Sequence, residues 1–203
     1  MIMNKKLVFA TSNEGKMREV RMILGGSGLE IFSMKDLGIS AHIVEDGATY
    51  EENARIKAEA VMKLTGQITL ADDSGIEIAY LGGAPGVYSA RYLGEDTSYE
   101  IKNRLVLEKL EGAAGRQRAA RYVCAIAAAF PDGETIYARG IWDGEIAMRP
   151  AGSGGFGYDP IFWLPDMGCT AAQLPAGQKN EISHRGKALR AMREKLSGRI
   201  GEI

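Results

Sequence analysis

A chain of 203 residues with 45% hydrophobic and 25% charged content lies in the ordinary globular range, enough for one domain or one bilobed unit with a sizeable core. Its 25 basic residues nearly cancel its 26 acidic ones, so no overall field draws it onto nucleic acid or an anionic membrane, and any phosphate affinity must be local. Two cysteines, Cys124 and Cys169, are too few for a disulfide framework or a zinc cluster and read as buried free thiols.

Residues 1–6 lead into an apolar strand without the pattern of a signal peptide, and no apolar run reaches the roughly 18 residues of a membrane span. A soluble cytoplasmic protein is expected. Residues 7–11 read as a short buried strand, after which Met17, Val20, Ile23 and Leu24 recur at helical spacing until Gly25 and Gly26 stop the helix. Thr49 and Glu52 form a capping-box pattern ahead of a second helix, with Ile56, Ala60 and Leu64 on one stripe and Gly66 at its end. Residues 68–71 make the next strand.

Thr97 and Glu100 repeat the capping signature before Ile101, Leu105 and Leu110, and Gly112 is the stop. Residues 119–130 and 135–147 are compatible with strands, and Pro131, Asp132, Gly133 and Glu134 between them predict a long hairpin. Ser183 is positioned to cap a last helix with Leu189, Met192 and Leu196 on one face. Mixed strands and helices imply an α/β or α+β sheet protein. No repeat or long linker divides the chain, and the glycine-rich stretches 82–86 and 152–157 read as loops.

Four segments carry residues suited to chemistry. Thr11, Ser12, Asn13, Glu14, Gly15 and Lys16 sit where a buried strand gives way to a helix, so their donors converge with the backbone N–H groups of a helix start. That arrangement suits a phosphate, and equally an ordinary helix cap by Ser12 or Asn13; the Walker spacing is absent. Asp72 and Asp73 end an apolar strand. If the strand persists they face opposite ways and cannot share one task, and Glu45 or Asp46 would supply a second carboxylate for a hard cation such as Mg²⁺. A plain Asp-Asp-Ser-Gly turn is the competing reading, slightly favoured when the segment is taken alone.

The stretch 152–157 formally matches G-x-G-x-x-G, but Tyr158, Asp159 and Pro160 follow it, and proline soon interrupts any helix begun there. A loop presenting Phe156 and Tyr158 would instead stack a base, with Asp159 at its edge; core aromatics beside a turn are the alternative. Lys179, His184 and Arg185 stand ready to donate to a phosphate or a carbonyl oxygen, or else form a solvated helix start. Lys102, Arg104, Arg116, Arg118 and Arg121 read as a solvated face. His42 reads as an ordinary loop histidine.

Taken together and in order, six blocks closely resemble the inosine/xanthosine triphosphate pyrophosphatases, the Ham1-like family of non-canonical purine nucleotide diphosphatases. They are residues 11–16, 51–54, 71–75, 81–86 with 89–92, 154–160 and 182–186, and they span nearly the whole chain. The resemblance implies an elongated mixed β-sheet flanked by helices, two lobes with a central substrate cleft, and a homodimer. It implies that Thr11 to Lys16 surround a triphosphate, with Lys16 as the main charge partner. It assigns Glu45 and Asp73 to a magnesium ion, Asp73 also to proton acceptance, and Ser74 to a substrate contact. Phe156, Gly157, Tyr158, Asp159, Lys179, His184 and Arg185 correspond to positions around the nucleobase and neighbouring substrate groups. Where the family often carries Glu-Glu, this chain has Val44, Glu45, Asp46 and Gly47, and residues 165–178 match least well.

The implied reaction cuts ITP, dITP or XTP to the monophosphate and pyrophosphate by water attack on the α-phosphorus. A 6-oxo acceptor on the base would satisfy donors that the 6-amino group of adenine leaves unpaired. A diphosphatase for modified pyrimidine triphosphates, a non-catalytic nucleotide sensor and a nucleic-acid-binding module are the competing readings, the last disfavoured by the near-neutral charge.

Overall fold

The computed structural model describes residues 5–25 and 28–201. In chain order the described elements are β1 (Lys5–Phe9), α1 (Glu14–Leu24), β2 (Leu29–Ser33), α2 (Tyr50–Thr65), β3 (Thr69–Ile78), α3 (Tyr99–Lys109), β4 (Ala119–Ala129), β5 (Thr135–Ile146), β6 (Phe162–Leu164), β7 (Cys169–Thr170), α4 (Ala176–Ile182) and α5 (His184–Ile200). The strands form one sheet in the order β2-β1-β3-β4-β5-β6-β7. β1 runs parallel to both β2 and β3, whereas β6 runs antiparallel to β5 and β7. The sheet is therefore mixed and the class is α/β, one of the two that the mixed elements allow. No described helix is long and apolar enough to cross a membrane.

The chain divides into two compact units. Residues 1–73, 124–140 and 184–203 make the first, and residues 74–123 and 141–183 the second. In the first, Leu7, Phe9, Val20, Leu24, Leu70, Ile126, Leu189 and Met192 form one fully buried cluster, and Val8, Ala54, Ala58, Val61 and Ala71 belong to another. In the second, Ile76, Ile78, Val106, Leu110, Ile146, Ile161 and Phe162 form a core of its own. Sealing these side chains from water supplies the main drive for each unit to fold.

Most local signals are realised. Asn13 caps α1 by accepting from the Lys16 N–H at 3.1 Å, and Gly25 ends the helix; Gly26 lies outside the described residues. Thr49 and Glu52 make both bonds of the capping box on α2, which stops at Gly66 with φ of 63°. β4 and β5 are neighbours joined through Pro131–Glu134, where Phe130 N–H bonds the Glu134 carbonyl at 2.9 Å. So short a link can only fold back on itself.

Several expectations need correction. Ser98, not Thr97, caps α3, because the Thr97 hydroxyl is turned back onto the Leu93 carbonyl. The buried side of α2 carries Asn53, Ala54, Ala58 and Val61, while Leu64 is 63% exposed. In α3 the buried residues are Lys102, Asn103 and Val106, and Ile101 is exposed. The strand expected at 68–71 continues as β3 to Ile78, so no turn forms at Asp72-Asp73-Ser74-Gly75. Lys102 and Arg118 are not solvated. Lys102 is buried and bonds the Ala90 carbonyl at 2.5 Å, and the Arg118 guanidinium bonds the carbonyls of Ile146 and Ala147, each at 2.7 Å. Both cysteines are free thiols; Cys124 is buried but Cys169 is half-buried.

Candidate active site

In the first unit, charged side chains gather where β3 passes from Ala71 into Asp72 and Asp73. Successive residues of a strand point to opposite faces, and here the strand is unbroken through both acids. Their partners accordingly differ.

Asp72 is 1% exposed. Its Oδ1 accepts from Lys16 Nζ at 2.9 Å and its Oδ2 from Arg185 Nε at 3.1 Å. Arg185, also buried, donates a further bond to Glu19 on α1. Burial alone would push the Asp72 carboxyl up, but the charges of Lys16 and Arg185 outweigh it and hold the group far below the ordinary carboxylate range. Burial likewise opposes the charge on Arg185, and Asp72 and Glu19 overcome it, so the guanidinium stays charged. Asp72 is a fixed anion that positions two cations, and is unsuited to taking up protons.

Asp73 faces α2. Its Oδ2 accepts from Asn53 Nδ2 at 3.1 Å, and the other end of the same amide accepts the Gly47 N–H at 2.8 Å. One turn further along α2, Lys57 Nζ lies 2.6 Å from Glu45 Oε2 and 3.8 Å from Asp73 Oδ1. Residues four apart share a helix face, so Asn53 and Lys57 together draw the Glu45–Gly47 segment and Asp73 to one place. Gly47 has to be glycine for this: a Cβ there would sit 2.7 Å from Glu52 Cβ and 2.8 Å from Asn53 Oδ1. Burial raises the Asp73 carboxyl above its usual range; Lys57, Lys16 and the Asn53 bond oppose the shift, and the charge of Glu45 adds to it.

The two adjacent acids thus serve separate purposes, as strand geometry requires. A hard cation such as Mg²⁺ takes one or two carboxylates and completes its shell with water and substrate oxygens. Glu45 and Asp73, drawn to a single ammonium and repelling one another, fit that need. No group of three or more His, Cys, Asp or Glu side chains suited to a metal occurs among the described residues. The donor set is that of a cation shared with a ligand rather than enclosed by protein.

Ser12, Asn13 and Glu14 are exposed at the start of α1. The Asn13 N–H bonds the Thr11 hydroxyl at 3.1 Å, and the Glu14 carboxylate pairs with Lys35 at 3.2 Å. What Glu14 and Gly15 can offer an anion is therefore the backbone of a helix N-terminus. The structure brings Lys16 from this segment to Asp72.

The second unit holds a different constellation. Lys179 and Asp159, both nearly fully buried, pair at 2.6 Å. Asp159 Oδ2 also accepts the Phe156 N–H at 2.8 Å, and its Oδ1 accepts the Tyr122 hydroxyl at 3.3 Å. Lys179 Nζ sits 4.9 Å from the centroid of the Phe156 ring. Tyr158 is buried, donates to the Ser89 carbonyl at 2.9 Å and meets Tyr99 edge-on at 5.2 Å. Gly155, at φ of 68°, leaves room where a Cβ would fall 2.0 Å from Asp159 Oδ2. Ser74 opens this unit on β3. The solvated helix start expected of Lys179, His184 and Arg185 is not found: all three are buried, with Lys179 on Asp159 and Arg185 on Asp72 and Glu19.

Sequence reasoning missed Asn53, Lys57, Glu19 and Tyr122. Asn53 lies inside one of the motif blocks, and Lys57 follows it by four residues, a spacing that places it on the face carrying the acids. Nothing local marks Glu19 or Tyr122, whose roles come from partners 166 and 37 residues away.

Comparison with known proteins places the chain in a family. The family model described as "Ham1 family" matches residues 7–195. A dITP/XTP pyrophosphatase of Bacillus licheniformis is 46% identical over 188 residues, which is 93% of this chain and 96% of the relative. That of Bacillus subtilis is 45% identical over 196 residues, 97% of this chain and 99% of the relative. The solved structure of a HAM1 protein from Coxiella burnetii superposes with a TM-score of 0.86 at 40% identity, covering 96% of this chain and 99% of its own. The Staphylococcus aureus Ham1 protein gives a TM-score of 0.85 at 40% identity, with the same coverage. With its fold and nearly its full length matched, the chain belongs to the Ham1 family.

Proposed function

We propose that this protein is a dITP/XTP pyrophosphatase that hydrolyses ITP, dITP and XTP to the nucleoside monophosphate and pyrophosphate. The observation that carries the reading is the pairing of Glu45 and Asp73 at Lys57, with Lys16 held on the neighbouring Asp72. Curated relatives that bear the dITP/XTP pyrophosphatase name support it.

A triphosphate repels an incoming nucleophile, so positive charge must be gathered before water can attack. Lys16, kept in place by Asp72, binds the phosphate chain together with the start of α1 at Thr11 to Gly15. Glu45 and Asp73 would hold Mg²⁺, which when bound would supply charge neutralisation for the phosphates. Asp73 orients a water molecule and takes its proton as the oxygen bonds to the α-phosphorus; the bond to the bridging oxygen breaks and pyrophosphate leaves. A carboxyl raised by burial is a better proton acceptor than an ordinary aspartate. No covalent enzyme intermediate is required.

In the second unit, Phe156 and Tyr158 flank the base, Gly157 lets the backbone approach, and Lys179, tethered by Asp159, donates to a 6-oxo group. Ser74 contacts the substrate, and His184 and Arg185, which belong to the first unit, are assigned to neighbouring substrate groups. A base with a 6-amino donor leaves such buried donors unsatisfied, which costs on the order of 1–3 kcal/mol for each. Residues 1–203 act as one catalytic domain, working in the cytoplasm as a homodimer, without nucleic-acid or membrane partners.

The test is a nucleotide panel with Mg²⁺ and product identification. ITP should give IMP and pyrophosphate, and activity should vanish on chelation. Release of IDP and orthophosphate would overturn the reaction, a strong preference for pyrimidines would overturn the base assignment, and ITP binding without turnover would make the protein a sensor.

A further inference from the structure

We infer that Asn103, on α3, is a positioning residue for nucleobase selection, acting through the backbone of Gly157. The inference rests on the assignment of residues 156–159 to the base. Asn103 is 4% exposed. Its Nδ2 donates to the Gly157 carbonyl at 3.1 Å, across 54 residues of chain. Gly157 adopts φ of 70°, a conformation that side-chain-bearing residues avoid, and it joins the Phe156 ring to Tyr158 and Asp159. All three meet at this peptide, and Asn103 holds its carbonyl.

The neighbouring residues of α3 tighten the same brace. Tyr99 packs edge-on against Tyr158 at 5.2 Å, and its ring lies 3.7 Å from where a Cβ of Gly157 would stand. Lys102 bonds the Ala90 carbonyl at 2.5 Å, next to Ser89, whose carbonyl accepts the Tyr158 hydroxyl at 2.9 Å. α3 therefore grips the base loop at Gly157 and Tyr158, and grips the segment beneath Tyr158 as well. Every one of these contacts lies within the second unit.

A second observation separates Asn103 from an ordinary buried residue. Its Oδ1 is buried and has no hydrogen-bond partner among the described residues. Swapping the two ends of the amide would not help, because it would set oxygen against the Gly157 carbonyl. A leucine of nearly the same shape would remove that acceptor together with the bond to Gly157. That bond is the contact through which the amide acts on the base loop. A buried acceptor without a partner is a local conflict of the kind expected where function overrides stability.

The test compares Asn103→Leu with the intact protein on two substrates, ITP and ribose 5-triphosphate, which carries no base. Asn103→Leu should raise KM for ITP about tenfold with a smaller change in kcat, narrow the preference for ITP over ATP by a similar factor, and lower the melting temperature by no more than about 3 °C. Its kcat/KM for ribose 5-triphosphate should stay within about a factor of two of the intact protein. Asn103→Asp keeps the size but lacks the donor, and should reproduce the ITP defect. Equal losses on both substrates, or a fall in melting temperature matching the loss of activity, would reduce Asn103 to a structural residue and overturn the inference. So would unchanged ITP kinetics in both variants. Absence of ITP hydrolysis by the intact protein would instead refute the proposed reaction, so the two failures are told apart.

Discussion

Asp72 and Asp73 are adjacent on β3 and both are buried, yet their carboxyls are driven in opposite directions by what each faces. Asp73, raised by burial, is assigned the proton, and Asp73→Asn preserves its shape while removing its basicity. Turnover of ITP should fall by about a thousandfold or more with the circular dichroism spectrum unchanged; near-normal rates would refute the assignment. Asp72 is assigned structure. Its folded-state pKa lies below the unfolded value of about 3.9, so its stabilisation is complete above that value and is lost progressively as pH falls from there through the depressed one. Asp72→Asn leaves Arg185 and Lys16 without their shared anion, and should cost about 3 kcal/mol at pH 7 in urea unfolding. The deficit should shrink as pH drops below about 4, and a pH-independent deficit would show that the charge is not the cause. The sequence contains the cue for this division, since two adjacent acids on a continuing strand must diverge. Which acid meets cations and which meets an amide is decided by Lys16, Arg185, Asn53 and Lys57, and no local pattern reveals those pairings.

At the scale of elements, the caps of α1 and α2 were legible because each is a bond between residues three positions apart, whereas the cap of α3 fell one residue beyond the one expected. Thr49 and Glu52 reach only their own helix. The stripe on α2 was misread because the large apolar residues Ile56 and Leu64 outweighed the alanines in the pattern, whereas it is Ala54 and Ala58 that are fully buried. The misreading had a functional consequence, because Asn53 and Lys57 flank those alanines and went unassigned. A comparable close approach fixes α5. A Cβ on Gly140 of β5 would fall 2.1 Å from the His184 carbonyl oxygen and 2.7 Å from the Ala188 nitrogen, both backbone atoms that cannot step aside. Gly140→Ala must therefore push back the first turn of α5, which carries His184 and Arg185. We expect a stability loss of about 2 kcal/mol by chemical denaturation, together with a drop of about tenfold in kcat/KM for ITP. A variant with intact kinetics would show that the placement of this turn is not critical.

For the molecule as a whole, mixed strands and helices narrowed the class of fold to α/β or α+β and the family resemblance implied two lobes, but no linker marks where the chain divides. The chain passes from one unit to the other at 73/74, 123/124, 140/141 and 183/184. The first three passages fall inside β3, β4 and β5, where the pattern continues without a break. The proposed proton acceptor, Asp73, is the last residue of the first unit before the first passage. Neither unit is a continuous stretch of sequence, and a strand cannot fray at its middle without breaking hydrogen bonds on both sides of the break. Unfolding of one unit should therefore carry the other with it. Both tryptophans of the chain, Trp142 and Trp163, belong to the second unit, so their fluorescence reports on that unit alone, whereas far-ultraviolet circular dichroism reports on helices and strands of both. The two signals should trace one coincident urea transition. If fluorescence changed at a clearly different urea concentration, the units would be separately stable and the shared strands would couple them less than their continuity requires.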